Sequence, residues 1–219
     1  MNNELADTLK ALTTPDQIFA FKEPNNEKGE IFREFTNIPQ SLKEYFELGL
    51  MHPEKDWLVF LEERYTYQEI YLQAARVATQ LVADGIQNGD RVAICMPNNP
   101  EYIILFIAIT SIGAVCVPLN SWWIGSEIEY GLKDSGAKLI FGDAKRLQSF
   151  SKPDVKKFVV RGKLKNVTSY ESWLQNSSSD MPSIEIHKDD NATIFYTSGS
   201  TGFPKGVLSS HKNILSGLF

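Results

Sequence analysis

The segment GDRVAICMPNNPEYIILFIAITSIGAVCVPLN, residues 89–120, decides the fold of this chain. It contains an apolar run, RVAICM, that is typical of a buried strand, and then a helical stretch that Gly113 closes. A second apolar run, AVCVPL, follows at once. Strand, helix and strand in this order form a unit in which the two strands are parallel and the helix covers the sheet. The segment therefore predicts an α/β fold.

The same alternation continues on both sides of this segment. Thr66 and Glu69 have the spacing of a capping box that begins the preceding helix, and Ser126 and Glu129 predict another capping box for the following one. KLIFG, AKRLQSF and KKFVV then predict a strand, a helix and a strand. Residues 66–160 therefore predict a doubly wound, mostly parallel sheet flanked by helices. Upstream, IFAFKEPNNEKGEIFREF predicts a β-hairpin around a Pro/Asn/Gly turn.

Composition excludes several classes of protein. The 219 residues carry a net charge of −5 and have no long Lys/Arg cluster, so we expect no nucleic-acid groove. The polar N-terminus is unlike a signal peptide, and Gly113 and Pro118 interrupt the most apolar window, so we expect no transmembrane segment. Cys95 and Cys116 lie in apolar strand-like runs. They predict buried free thiols and a cytoplasmic protein.

A second informative stretch, TSGSTGFPKG, spans residues 197–206 and is called the glycine-rich loop below. Gly199 and Gly202 let the backbone approach a ligand closely, and successive N–H groups in such a turn can bind an anion. Hydroxyl groups come from Ser198, Ser200 and Thr201, and Lys205 adds a positive charge suited to phosphate. The loop therefore predicts a phosphate-binding site.

Two common nucleotide-binding patterns do not fit this loop. The P-loop of nucleotide hydrolases has four residues between its glycines and then Lys and Ser or Thr at a helix start. Here Gly199 and Gly202 are separated by two residues, and the strand-like VLSS follows Lys205. The dinucleotide pattern Gly-x-Gly-x-x-Gly is absent. A plain flexible hairpin loop is the remaining alternative, and the concentration of hydroxyl groups, glycine and lysine argues against it.

The stretch YTSGSTGFPKGV, residues 196–207, resembles the phosphate-binding signature of the adenylate-forming (AMP-binding) superfamily, to which acyl-CoA synthetases belong. YTYQEI, EIEYGLKDSGAKLIF and the opening segment are also similar to that superfamily. The resemblance implies that residues 41–219 are the first part of a large adenylation domain and that residues 1–40 are an N-terminal extension with a hairpin. PLNSWWIGSEIEYGL is similar to fatty acyl-CoA ligases in particular.

This resemblance implies a reaction in two steps. A carboxylate attacks the α-phosphate of ATP with Mg²⁺ present, and the acyl-adenylate then passes its acyl group to CoA. It implies that the ATP phosphates are bound by Thr197, Ser198, Gly199, Ser200, Thr201, Gly202, Lys205 and Gly206. It also places His211 near the acyl or nucleotide site, with a helix-start histidine satisfied by the backbone as the alternative.

The resemblance places adenine recognition, the acidic metal ligand, the acyl pocket and the catalytic lysine later in the family's chain than Phe219. We therefore expect a fragment with no catalytic residue and no metal ligand of its own, inactive by itself. The alternatives are a non-catalytic phosphate-binding or interaction module and a fatty acyl-AMP ligase that loads a carrier protein. A gene that continues through an adenylation domain would favour the enzyme.

The remaining histidines and the adjacent tryptophans predict simpler roles. His52 and His187 have no metal-ligand spacing, so we expect them at the surface. Trp122 and Trp123 could border an acyl channel, but adjacent aromatic residues after a turn favour packing.

Overall fold

A computed structural model describes residues 3–25, 29, 31, 33–151, 154–197 and 202–219. The helices are α1 (Asn3–Leu12), α2 (Leu42–Glu47), α3 (Tyr67–Ala83), α4 (Pro100–Ser111), α5 (Ser126–Ser135), α6 (Ala144–Gln148), α7 (Tyr170–Trp173) and α8 (His211–Leu218). The strands are β1 (Phe21–Lys22), β2 (Glu34–Phe35), β3 (Asp56–Phe60), β4 (Glu63–Thr66), β5 (Arg91–Cys95), β6 (Val115–Pro118), β7 (Leu139–Gly142), β8 (Lys156–Val159), β9 (Thr168–Ser169), β10 (Asn191–Thr197) and β11 (Lys205–Ser210).

The main sheet has seven strands in the order β11-β10-β6-β5-β7-β8-β9. Six of them are parallel, and β11 pairs antiparallel with β10 at one edge. Helices α3 and α4 pack on one face together with Ile94 and Phe141, while α5 and α6 pack on the other face together with Ala93 and Ile140. The predicted doubly wound, mostly parallel α/β sheet is confirmed.

One predicted capping box is confirmed and the other is wrong. At α3 the backbone N–H of Glu69 donates to the Thr66 hydroxyl, and the Thr66 N–H donates to the Glu69 carboxylate. Helix α5 instead begins after Gly125, which has a positive φ of 53°. A residue with a side chain would adopt this backbone conformation only with strain. Ser126 is therefore the first helical residue, and the Glu129 carboxylate accepts a hydrogen bond from the Ser151 N–H.

The N-terminal extension forms the predicted hairpin, since Phe21 on β1 pairs with Phe35 on β2. Glu34 on β2 is buried, and its carboxylate accepts a hydrogen bond from Lys188 at 2.5 Å, while Lys212 of α8 lies 3.2 Å from the same carboxylate. The Lys188 hydrogen bond is the main reason why the pKa of Glu34 falls to about 2. The Lys212 ion pair attaches the extension to α8, and the Lys188 ion pair attaches it to the segment before β10. The domain boundary near residue 41 stays a prediction.

Cys95 and Cys116 are free and buried, as expected. Burial raises the pKa of Cys95 to about 12, so its thiol stays protonated and unreactive. Among the described residues, none of the helices has the length and apolar composition needed to cross a membrane.

The end of β7 offers a test of how closely the sheet and α6 pack. A Cβ at Gly142 would lie 2.8 Å from the Cys95 carbonyl oxygen and 3.0 Å from Leu147 Cδ2. Because a backbone atom cannot move aside cheaply, Gly142→Ala should lower the free energy of unfolding by about 1–3 kcal/mol, measured by urea denaturation.

Gly217→Ala is the matched control for this substitution. A Cβ at this position in α8 would meet no described atom within 4 Å, so alanine should leave the free energy of unfolding unchanged or raise it by up to about 1 kcal/mol. Equal losses of stability in the two variants would contradict the packing at Gly142.

Candidate functional site

The glycine-rich loop connects β10 to β11. The two residues that flank its centre are held in register, because Thr197 pairs with Lys205 across the two strands. Strand β10 is parallel to β6, so Thr197 lies at the sheet edge where the other parallel strands also end. In open α/β sheets, ligands bind outside this carboxyl edge. The fold therefore presents the loop where a small-molecule site is expected.

The described part of the loop includes four of the eight predicted phosphate-binding residues: Thr197, Gly202, Lys205 and Gly206. Ser198, Gly199, Ser200 and Thr201 lie outside the described residues. Thr197 and Lys205 are both exposed. A hydroxyl group and an ammonium group are therefore accessible side by side at the end of the hairpin. The assignment of these residues to phosphate stays a prediction.

The two described glycines of the loop have different physical roles. Gly202 has a φ of 113°, a backbone conformation that other residues adopt only with strain, and a Cβ there would meet no described atom within 4 Å. Gly206 has no such φ; a Cβ there would lie 2.9 Å from Ile194 and 3.4 Å from the Tyr196 ring. Gly202 therefore permits a turn, whereas Gly206 permits close cross-strand packing.

Helix α5 contacts both ends of the loop. The Tyr130 hydroxyl donates to the Pro204 carbonyl oxygen at 2.9 Å, and the Tyr130 ring stacks on Phe203. The Tyr196 hydroxyl donates to Asp134 at 2.8 Å. Burial and the Asp134 carboxylate raise the pKa of Tyr196 above its ordinary value, so its hydroxyl remains a donor. The sequence patterns did not indicate Tyr130, because its contact with Pro204 joins residues 74 positions apart.

His211 is the first residue of α8 and is completely buried. Its Nδ1 accepts a hydrogen bond from the Leu42 N–H at 3.0 Å, and its Nε2 has no partner among the described residues. Burial lowers the pKa of His211 to about 4, so the imidazole is neutral at pH 7. This contact joins α2 to α8 and fits the alternative of a helix-start histidine that binds the backbone. A role of His211 toward the acid or nucleotide stays a prediction.

The two tryptophans differ in burial, and the two remaining histidines lie at the surface. Trp123 is buried, with its ring 5.5 Å from that of Tyr196, so the expected packing is confirmed for this residue. Trp122 is 86% exposed, so it does not pack within the described residues. His52 and His187 are exposed, as predicted. In the described ranges, no group of three or more His, Cys, Asp or Glu side chains could hold a metal ion.

Comparison with known proteins gives a match to the family described as AMP-binding enzyme over residues 48–219. This chain belongs to the AMP-binding enzyme family. It is 38% identical over 161 residues to the long-chain-fatty-acid–CoA ligase FadD13 of Mycobacterium tuberculosis, covering 70% of this chain and 31% of the relative. It is 31% identical over 156 residues to 4-coumarate–CoA ligase 2 of Nicotiana tabacum, covering 69% and 29%.

Among solved structures, the inhibitor-bound N-terminal domain of FACL13 from Mycobacterium tuberculosis is 30% identical to this chain. The two superpose with a TM-score of 0.68 over 79% of this chain and 45% of that one. This member of the AMP-binding family therefore shares the fold of N-terminal parts of adenylate-forming enzymes. It spans about 30% of the length of the curated relatives it matches.

The buried His211 predicts a pH dependence of stability. Its pKa is about 4 in the folded chain and near 6.5 when unfolded, so the unfolded state binds more protons between these values. The stability that the neutral His211 contributes is therefore fully present above pH 6.5. The free energy of unfolding should fall by about 1–2 kcal/mol as the pH drops to 4.5. Urea denaturation at both pH values measures this change.

The matched variants are His211→Asn and His187→Asn. Asparagine keeps an acceptor near the position of Nδ1 but does not titrate, so His211→Asn should remove most of the loss between pH 6.5 and 4.5. His187 is exposed, and its replacement should leave the loss unchanged. If His211→Asn loses as much stability over this range as the unsubstituted chain, the assignment is wrong.

Proposed function

We propose that this chain is the phosphate-binding part of an ATP-dependent acyl-CoA ligase. That enzyme activates a carboxylic acid as an acyl-adenylate and transfers the acyl group to CoA. The observation that carries the proposal is the family's signature loop, which β10 and β11 present at the ligand-binding edge of the sheet with Thr197 paired to Lys205. The ligase names of the relatives support the same reaction class.

In the first step, the acid's carboxylate attacks the α-phosphate, and the bond to the β-phosphate breaks so that pyrophosphate leaves with the additional negative charge. The Lys205 ammonium group and the Thr197 hydroxyl are side by side because directly paired residues have Cβ atoms about 5 Å apart. Both can therefore contact one phosphate group. Fixed donors aimed at developing charge are a major source of catalysis in such transfers.

Mg²⁺ fits this arrangement as an ion held mainly through the phosphate oxygens. Such ions keep several water ligands and need few protein carboxylates when a nucleotide supplies the rest. When bound, the ion would reduce the negative charge of the phosphates.

A fatty acid is the proposed acid. FadD13, the relative at 38% identity, is named for long-chain fatty acids, whereas the relative at 31% identity is named for 4-coumarate.

The free thiols Cys95 and Cys116 support the cytoplasm as the proposed location, since a reducing compartment leaves thiols unpaired.

Lys205→Ala tests the phosphate site directly. Calorimetric titration of the chain with pyrophosphate should show that this variant binds roughly ten- to a hundredfold more weakly, because a charge-assisted hydrogen bond is lost. Lys163→Ala is the control, because it removes the same charge from another exposed position, just after β8, which four strands separate from β11 in the sheet. Equal binding by the two variants would contradict the proposed site.

The chain by itself should not catalyse the first step. We expect no acid-dependent ATP–pyrophosphate exchange from the 219 residues with short-chain, long-chain or aryl carboxylates, because they span only about 30% of the length of the ligases they match. Measurable exchange would overturn this expectation. The same assay on the product of the whole gene tests the ligase itself: exchange with fatty acids supports the proposal, and its absence with every acid supports a non-catalytic module.

A further inference from the structure

Tyr130 connects the interior of the protein to the end of the glycine-rich loop. Its ring stacks on Phe203, with 5.0 Å between the ring centroids and an angle of 23° between the ring planes. Its hydroxyl donates to the Pro204 carbonyl oxygen at 2.9 Å. Phe203 and Pro204 directly precede Lys205, so these two contacts fix the point from which Lys205 extends. The stacking also gives Phe203 a packing partner, although its side chain is 73% exposed.

The other end of the loop is attached to the same helix. Tyr196 directly precedes Thr197, and its hydroxyl donates to the Asp134 carboxylate at 2.8 Å and to the Gly131 carbonyl oxygen at 3.2 Å. The Tyr130 and Tyr196 rings also meet edge to face, with centroids 6.3 Å apart. Helix α5 therefore contacts the chain on both sides of the loop through two tyrosine hydroxyls.

Helix α5 is a firm support because its inner side is packed into the sheet. Ile128 and Leu132 are buried in the core on this face. At Gly131 the helix approaches Leu119 and Trp123 so closely that a Cβ would lie 2.7 Å and 3.0 Å from their side chains. A group held by this helix therefore moves little relative to the sheet.

Strand β11 lacks this kind of support on one side. It is the last strand of the described sheet and pairs only with β10 there. Val207 and Leu208, near its beginning, are exposed. The contacts from Tyr130 therefore link Phe203 and Pro204, the two residues before Lys205, to the packed part of the fold.

We propose that Tyr130 is a positioning residue for Lys205, holding Phe203 and Pro204 so that the Lys205 ammonium group meets the phosphate oxygens of a nucleotide or of pyrophosphate. The inference rests on the proposed function of the loop. A lysine fixed in advance loses less conformational entropy when the anion binds, so the Tyr130 contacts raise affinity without touching the ligand.

Tyr130→Phe tests this role, because it removes only the hydroxyl and retains the ring on Phe203. Pyrophosphate binding should weaken roughly three- to tenfold, as expected for one hydrogen bond. Tyr71→Phe is the matched control: its hydroxyl donates to Glu47 at 2.8 Å, on α3. Both variants lose one tyrosine hydrogen bond of similar length, but only Tyr130→Phe should change binding.

Two further measurements separate positioning from general stability. In the Lys205→Ala background, Tyr130→Phe should weaken pyrophosphate binding no further, because Tyr130 acts through Lys205. Trypsin cleavage after Lys205 should become faster in Tyr130→Phe, while cleavage after Lys163 keeps its rate. A general loss of stability would accelerate both cleavages, and Tyr71→Phe shows how large that effect is.

The outcomes distinguish the two proposals. If Lys205→Ala binds pyrophosphate as tightly as the unsubstituted chain, or if the unsubstituted chain does not bind it, the proposed function is wrong, and the cleavage pattern alone then decides whether Tyr130 holds the loop end. If Lys205→Ala weakens binding while Tyr130→Phe does not, the positioning role is wrong. Equal losses in Tyr130→Phe and Tyr71→Phe also contradict it.

Discussion

Burial of the central parallel strands on both faces is the constraint on which the rest of this structure depends. Along β5, Val92 and Ile94 face α3 and α4, while Ala93 and Cys95 face α5 and α6. Each large side chain buried in this way contributes about 1.5–3 kcal/mol, so helices must cover both faces. Because the helices must return the chain across the sheet, all the parallel strands end at the same edge.

This shared edge gives the glycine-rich loop its setting. Strand β10 joins the sheet beside β6 and ends at the same edge, and β11 then turns back antiparallel. With this antiparallel partner at the sheet's end, Thr197 and Lys205 are exposed at this edge, and their pairing keeps the two strands in register. The apolar core thus determines where the loop lies, and polar contacts from α5 determine how its ends are held.

Much of this architecture could be predicted from the sequence because it depends on local patterns. Apolar runs, capping residues and closing glycines identify β5, α4 and β6, and the capping box at Thr66 is itself local. The capping box predicted at Ser126 is wrong although its spacing from Glu129 is correct, because Gly125, with its positive φ, is the residue that precedes α5. A spacing rule does not register the backbone conformation that precedes it.

The candidate site was only partly predictable for the same reason. The family resemblance predicts which residues would bind phosphate, but the contact between Tyr130 and Pro204 depends on how α5 packs across the sheet. The two roles of glycine, a turn at Gly202 and close packing at Gly206, also differ only in three dimensions. Likewise, Trp122 and Trp123 are identical in the sequence pattern, and the fold buries one and exposes the other.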